Sequence, residues 1–510
     1  MFLPNPRILV WWLGGLIIPC LIVLGIQSVE KAGGHLRDET ILWLAPPTSV
    51  VAWQRFVQAL DDEASFVFGK VVELDLSRVA PADSGITPEV SLQVDGRRIR
   101  WRWAIQAGPL NELLEREIDP NGRVIAVIGG STTEAALHLA QAMKARCNRL
   151  PDAKRPILLL HTATADNVYL KNGQDSPVEM QGLEEKNIQK LVQIYSGKTF
   201  RFGFDNGRMA DLVTRYVLDL YQPSRPRPPF LVEWEDDPYG LDVLEAFHSA
   251  YQKLVSPAVR QNSLRIRSGV AALDLPNKHE IKASRDMAND LEESRKLGRP
   301  WMVLGGQSDP CRRFLAGLSR NLPTKNHKDL PLIALGDTLG FNRVFLDQRH
   351  LWPAEDLPYE LVFFCHQDPA SDLDGFQPNP PPDQKWLANS TDDLLLWRNI
   401  AGGVIAAWNR SFPTLGDAGQ FGQKLSLLTV ENRGPQPGDR TGTSRLVFSV
   451  DAEGAKRFFD ELGNRNPGTG EHLVHLEPIR NGLSLRVIEV GQGENVFKKQ
   501  RVFRLTGGLP

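Results

Sequence analysis

The chain has 510 residues, 42% of them hydrophobic and 24% charged, with a formal net charge of −2. This is an ordinary globular composition, long enough for two domains; with no lysine- or arginine-rich stripe it argues against nucleic acid as the main partner. Four cysteines are too few for a disulfide scaffold, and without a Cys-x-x-Cys pair they supply no zinc or redox motif.

Ile8 to Ile26 is an apolar run without a charge. As a helix it spans roughly 28 Å, close to a bilayer core. Arg7 precedes it, and Trp11 and Trp12 stand where interfacial aromatics belong, which places the bulk of the chain on the outer side. Residues 1–30 are therefore expected to form a single-pass anchor with a short cytoplasmic N-terminus and the body of the chain on the outer side. A cleaved signal is the alternative, although the run is long for one and no Ala-x-Ala-like site follows closely. A lipoprotein would use Cys20, where Pro19 is wrong for that cleavage. Residues 31–40 are polar and read as a tether.

Ile41 to Ala45 is a buried-strand signal ended by Pro46 and Pro47, and a helical pattern follows from Val50 to Leu60. Phe66 to Leu76 and Val90 to Ile105 are β-rich, the second with the hairpin dipeptide Asp95-Gly96. Val124 to Ile128 is a continuous apolar strand, as expected where both sheet faces are covered. Gly129-Gly130 ends it, and Ser131-Thr132-Thr133 opens a helix with Ala136, Leu139, Ala140 and Met143 on its apolar stripe. Further strands are read at Ile157–Leu160, Phe230–Trp234, Met302–Leu304, Leu332–Leu335 and Leu361–Phe364. This β-α alternation implies parallel sheets with crossover helices. Residues 373–393 are proline-rich and read as a surface loop. From Arg445 onward the pattern is strands. Cys147, Cys311 and Cys365 are expected buried and free, with a Cys311–Cys365 disulfide as the alternative.

Three strand ends share one chemistry of small hydroxyls and free N–H groups. In GGSTT at 129–133, glycine lets a ligand approach, and the hydroxyls stand at a helix N-terminus that attracts anions. The plainer reading of this segment is helix capping. HTATAD at 161–166 offers Thr162 and Thr164, and EDDPYG at 235–240 offers Tyr239. In open parallel sheets, ligands gather at the carboxyl ends of strands. Asp236-Asp237 and Asp392-Asp393 read as solvated or capping. His472 and His475 lie three apart on an expected strand and point to opposite faces, so no metal site is assigned. Neither a dinucleotide fingerprint, nor a phosphate loop, nor a nucleophile elbow is present. No enzyme activity and no cofactor are expected.

The order of these segments resembles the type I periplasmic binding proteins, above all the branched-chain amino-acid receptors of ABC transporters. The stretch from DGRRIRWRW to GGSTTEAALHLAQAM is similar to the family's path to its first ligand loop. PILLLHTATAD resembles the next strand and its Ala-Thr loop, TFRFGFDNGRMADLVTRYVLD the crossover to the second lobe, and FLVEWEDDPYGLDVLEAFHSAY the strand, Tyr-Gly turn and helix that follow. PWMVLGGQSDPCRRFLAGL and LPLIALGDTLGFN resemble later cleft strands. The resemblance covers roughly 40–510 and is strongest over 94–254. Pro46-Pro47 in place of a glycine-rich start, the added segment 70–87, AIQAG in place of an acidic segment and the proline-rich loop depart from the family's pattern.

The resemblance implies two doubly wound α/β lobes joined by a hinge. It places 41–168 and 394–445 in the first lobe, and 169–372 with parts of 446–510 in the second lobe and its return strands. It implies that Ser131, Thr132, Thr162 and Thr164 hold a ligand carboxylate, Tyr239 and Gln307 contact ligand from the second lobe, and Asp337 holds an ammonium group. Asp337 as a turn residue or helix cap is the alternative. The implied partners are a small ligand such as an amino acid and an ABC permease or membrane sensor. A ligand-free scaffold acting on an envelope partner is the competing reading.

Overall fold

The computed structural model describes residues 38–79, 87–118, 123–169, 188–221, 227–234, 237–255, 262–266, 278–323, 330–336, 357–365, 391–411, 417–433, 445–466, 471–480, 482–491 and 496–506. The run Ile8–Ile26 and the proline-rich loop lie outside them. Among the described residues no helix is long and apolar enough to cross a membrane.

Strands β1 (Asp38–Ala45), β2 (Leu74–Arg78), β3 (Glu89–Val94), β4 (Arg97–Ile105), β5 (Val124–Gly129), β6 (Ile157–Leu160) and β9 (Thr199–Arg201) form a seven-stranded sheet in the order β2-β3-β4-β1-β5-β6-β9. β7 (Asn167–Tyr169) and β8 (Ile188–Lys190) pair separately. In the large sheet β4, β1, β5, β6 and β9 run parallel. β3 and β2 extend one edge antiparallel. Side chains alternate between two cores. Ile41 and Trp43 face the helices Val50–Phe68 and Thr391–Arg410, where Trp53, Trp103 and Trp397 surround Trp43. Leu42 and Val127 face the helices Leu110–Glu117 and Thr133–Cys147. Cover on both faces is why the central strands carry uninterrupted apolar runs. Asp95 and Gly96 both have positive φ, 50° and 77°, the conformation a tight hairpin needs.

Strands β10 (Phe230–Trp234), β11 (Asn262–Ile266), β12 (Trp301–Gly305), β13 (Leu332–Leu335) and β14 (Glu360–Cys365) are parallel. β15 (Leu428–Arg433), β16 (Arg445–Val450) and β17 (Lys456–Arg457) make a small antiparallel sheet. β18 (His472–Ile479), β19 (Gly482–Val490) and β20 (Phe497–Thr506) return antiparallel to the second large sheet, giving the order β11-β10-β12-β13-β14-β18-β19-β20. Helices Asn206–Tyr221 and Pro238–Leu254 cover one face, and Lys278–Arg295 and Ser308–Asn321 the other.

Two expectations are corrected, and the tail is divided between the lobes. The β-rich reading from Phe66 fails because Phe66–Phe68 is the last turn of the helix begun at Val50. Its apolar face, with Phe56, Leu60 and Ala64, is buried in the first core. Tertiary packing thus overrides the β preference of the Phe-Val-Phe run, and Gly69, left-handed at φ 62°, ends the helix. The first lobe also continues past 168, because β9 completes its sheet and Phe200 and Phe202 lie in its core. The crossover therefore falls after Arg201. In the tail, Phe448, Phe458 and Phe459 belong to the first core, and the second lobe's return strands begin at His472. Cys147, Cys311 and Cys365 are buried, and none of them is in a disulfide among the described residues.

Candidate functional site

The first-lobe loops leave the carboxyl ends of neighbouring strands β5 and β6. Gly130 turns the chain at φ 76°, and a Cβ there would lie 2.8 Å from Leu160 Cδ2 and 2.9 Å from Ala136 Cβ. Only glycine fits this turn. It leaves Ser131 and Thr132 exposed. Thr132 caps the following helix, its Oγ1 accepting from Ala135 N at 3.1 Å. Thr162 donates its hydroxyl to Ser131 O at 2.8 Å, joining the two loops. His161 fixes the base of the junction. Its Nδ1 lies 2.9 Å from Gly129 O, and its ring stacks on Trp397 at 5.0 Å between centroids. Thr164 is 1% exposed. Its carbonyl accepts from Asn206 N at 2.9 Å and Arg201 Nη1 at 3.1 Å.

In the second lobe Asp237 organises two of the expected residues. Its Oδ1 accepts from Tyr239 N at 3.1 Å, and its Oδ2 accepts from Gln307 N at 3.0 Å. Burial raises its pKa, against the N–H groups of Gly240, Tyr239 and Gln307 that favour the charged form. The capping reading of Asp237 therefore describes its geometry. Tyr239 is 4% exposed, and its hydroxyl lies so close to Gly336 that a Cβ there would be 2.2 Å away. Asp337, the next residue, lies outside the described residues, as does Asp236.

The structure thus gathers Ser131, Thr132, Thr162 and Thr164 at one end of the first sheet, and Tyr239 and Gln307 at one end of the second. The link between these groups was missed in the sequence. Asp242, one turn beyond Tyr239 and 2% exposed, crosses to the first lobe. It accepts from Asp166 N at 2.9 Å and Asn167 N at 3.0 Å, and also from Asn206 Nδ2 at 2.9 Å. The available signal was an acid beside the apolar stripe of Val243, Leu244 and Phe247. Its partners lie 75 and 76 positions upstream, where no local pattern reaches.

Among the described residues, Glu360, His475 and Glu477 bring potential metal-ligand atoms within 4.8 Å of one another. The sequence reading of the histidines assigned no metal here, and the geometry gives the cluster another occupation. His475 Nε2 lies 2.8 Å from Glu360 and its Nδ1 3.0 Å from Tyr216 OH. Arg299 pairs with Glu360, and Arg486 with Glu477 at 3.0 Å. Two guanidinium groups already match the two carboxylates, so the cluster is a buried ion-pair network.

No protein-family model matches the sequence, and no curated protein matches it. Solved structures do. A putative branched-chain amino acid ABC transporter from Silicibacter pomeroyi superposes with a TM-score of 0.50 at 12% identity, over 91% of this chain and 98% of that one. An ABC transporter substrate-binding protein from Sphaerobacter thermophilus gives a TM-score of 0.49 at 12% identity, over 87% and 95%. At such identity a match speaks for fold, and the first carries that argument. Its extent over nearly the whole of both chains agrees with two parallel-sheet lobes bridged beside the carboxyl ends of their strands. The chain has the type I periplasmic-binding-protein fold.

Proposed function

We propose that this protein is an extracytoplasmic solute-binding protein, anchored in the inner membrane by Ile8–Ile26, that closes on a small polar ligand and serves an ABC permease or a membrane sensor. The observation that carries this reading is the meeting of the two loop groups. Thr162 joins the hydroxyl-bearing ends of β5 and β6, and the segment that follows β6 is tied at Asp166 and Asn167 to Asp242, on the helix that carries Tyr239. Small hydroxyls and N–H groups on one side suit a carboxylate. A phenol on the other suits the body of an amino acid. The Silicibacter pomeroyi protein is described as a putative branched-chain amino acid ABC transporter, which makes amino acids the first ligand class to test. No bond-making step is assigned.

A thermal-shift screen of the full chain with amino acids and small carboxylates tests the reading, because a ligand that binds the native state raises the melting temperature. The expected result is a concentration-dependent rise with at least one ligand that Thr162→Val and Tyr239→Ala abolish. No rise with any of them at millimolar concentration counts against binding.

One feature favours a second reading, a scaffold that keeps the fold and acts through its surface. The Thr162 hydroxyl is engaged by Ser131 O, and Thr164 and Tyr239 are 1% and 4% exposed. Under that reading the same screen is silent, and Thr162→Val changes stability alone.

A further inference from the structure

The contact between the lobes is built from carboxylates. Asp242 reaches from the helix Pro238–Leu254 of the second lobe to the backbone of Asp166 and Asn167 in the first. The Asp166 carboxylate points into the same junction. Its Oδ1 lies 3.3 Å from Arg201 Nη1, and its Oδ2 accepts from Gly207 N at 3.2 Å. Asp205 stands beside them, its Oδ1 capping Arg208 N at 2.6 Å. Arg201 is 1% exposed and divides its donors among Thr164 O, Ala165 O and Asp166. Three carboxylates therefore share a junction whose buried cation is largely committed to carbonyl oxygens.

We propose that this junction is a proton-linked latch: bringing the lobes together loads a proton from solvent onto Asp166, and losing that proton loosens the grip of Asp242. Like charges in a desolvated site cannot all ionise cheaply. Burial, then the charge of Asp205, then that of Asp242, push the Asp166 carboxyl up to about 7, with Arg201 and Gly207 N pulling the other way. Burial also raises Asp242, against the donors on Asp166, Asn206 and Asn167. Of the other ionisable groups on the neighbouring elements, Lys190 and Glu245 are exposed, while His138, on the helix touching Pro238–Leu254, and Arg208 are half-buried.

The sign follows from linkage. The Asp166 side chain is 25% exposed in this structure; with the lobes apart it gains more water and loses the neighbouring charge of Asp242, so its carboxyl returns toward the ordinary value near 4. Between about 4 and 7 the latched form binds more protons than the open form. Closure is therefore favoured as the pH falls and weakens as it rises through about 7, by up to about tenfold per pH unit for one linked proton. The latch concerns how the lobes are held together and stands whether or not the cleft takes a ligand.

The test uses the full chain with a donor–acceptor dye pair on exposed positions of the two lobes, through E112C and R285C, read from pH 5.5 to 8.5 without ligand. The expected wild-type result is a closed, high-transfer population at pH 5.5 that shifts toward an open one above pH 7. Asp166→Asn, neutral at every pH, keeps the closed population throughout. Asp242→Ala shows the open population across the range. A flat wild-type profile, or an Asp166→Asn variant that keeps the wild-type pH dependence, overturns the proposal.

Discussion

Glu39 and Trp408 lie 369 residues apart, yet the Trp408 indole N–H donates to Glu39 Oε2 inside the first core. Arg97 completes the contact. Its Nη2 is 3.3 Å from the same carboxylate oxygen, its Nη1 donates to Trp408 O at 3.2 Å, and its guanidinium stacks on the indole at 4.3 Å. β1, β4 and the helix Thr391–Arg410 are thereby joined, so the helix that returns late in the sequence is fixed on the sheet that opens the lobe. Burial lowers the Arg97 pKa, and Glu39 opposes that shift.

Removing one partner leaves the other buried without its counter-charge. Glu39→Ala is expected to destabilise the first lobe by about 3–5 kcal/mol, read from urea unfolding monitored by tryptophan fluorescence. Glu39→Gln, which keeps an acceptor for the indole, is expected to lose less. A Glu39→Ala loss below about 1 kcal/mol would show that the contact does not hold the helix in place.

The strands that frame the site were legible in the sequence because burial on both faces writes itself as an apolar run, as at Val124–Gly129 and Ile157–Leu160. The Asp95-Gly96 hairpin and the Thr132 cap were legible because both are local. What was not legible depends on distant partners. Nothing near Phe66 announces that the helix Thr391–Arg410 will pack along the helix Val50–Phe68, and nothing near Asp242 announces Asp166. The short strand Thr199–Arg201 carries too little pattern to claim its place in the first sheet, so the sequence alone places the lobe boundary too early.

Thr132 separates a capping role from a ligand role. Its hydroxyl oxygen accepts from Ala135 N at 3.1 Å. Thr132→Ala is expected to lower stability by about 1 kcal/mol, and Thr132→Ser to restore it. If Thr132 also contacts ligand, Thr132→Asp restores the cap and still weakens binding of a carboxylate, because it adds a like charge. Equal ligand affinity in the Ser and Asp variants would leave Thr132 with the cap alone.

His472 predicts a loss of stability in acid. It stands at the start of β18 opposite Cys365 and Glu489, and burial lowers its pKa from 6.5 to about 4. The folded state therefore prefers the neutral ring, and between about 6.5 and 4 the unfolded chain binds more protons. The native state loses this contribution as the pH falls through that window. Carboxylates titrate in the same range, so the readout is the difference between wild type and His472→Gln in denaturant midpoint at pH 7 and pH 4.5. The expected outcome is a smaller acid loss in the variant. Parallel pH profiles would remove His472 from the account.

The sharpest test of how the second lobe presents Tyr239 is at Gly240. A Cβ on Gly240 would lie 2.5 Å from Gly305 O, and one on Gly305 would lie 2.7 Å from Gly240 O. The first turn of the helix Pro238–Leu254 is thus pressed onto the end of β12, and both neighbours of the added methyl are backbone. Gly240→Ala must push the turn away from the strand, at a cost of about 1–3 kcal/mol. The displaced turn carries Tyr239 and the Asp237 carboxylate that also accepts from Gln307 N. On the proposed solute-binding function, ligand affinity is therefore expected to fall by at least about tenfold, beyond what the lost stability alone produces. The control is Gly69→Ala, where an added Cβ meets nothing within 4 Å but φ is 62°. That variant is expected to lose about 1 kcal/mol from backbone strain alone and to keep its affinity. Matching affinity losses in the two variants would show that binding follows global stability and does not depend on the placement of Tyr239.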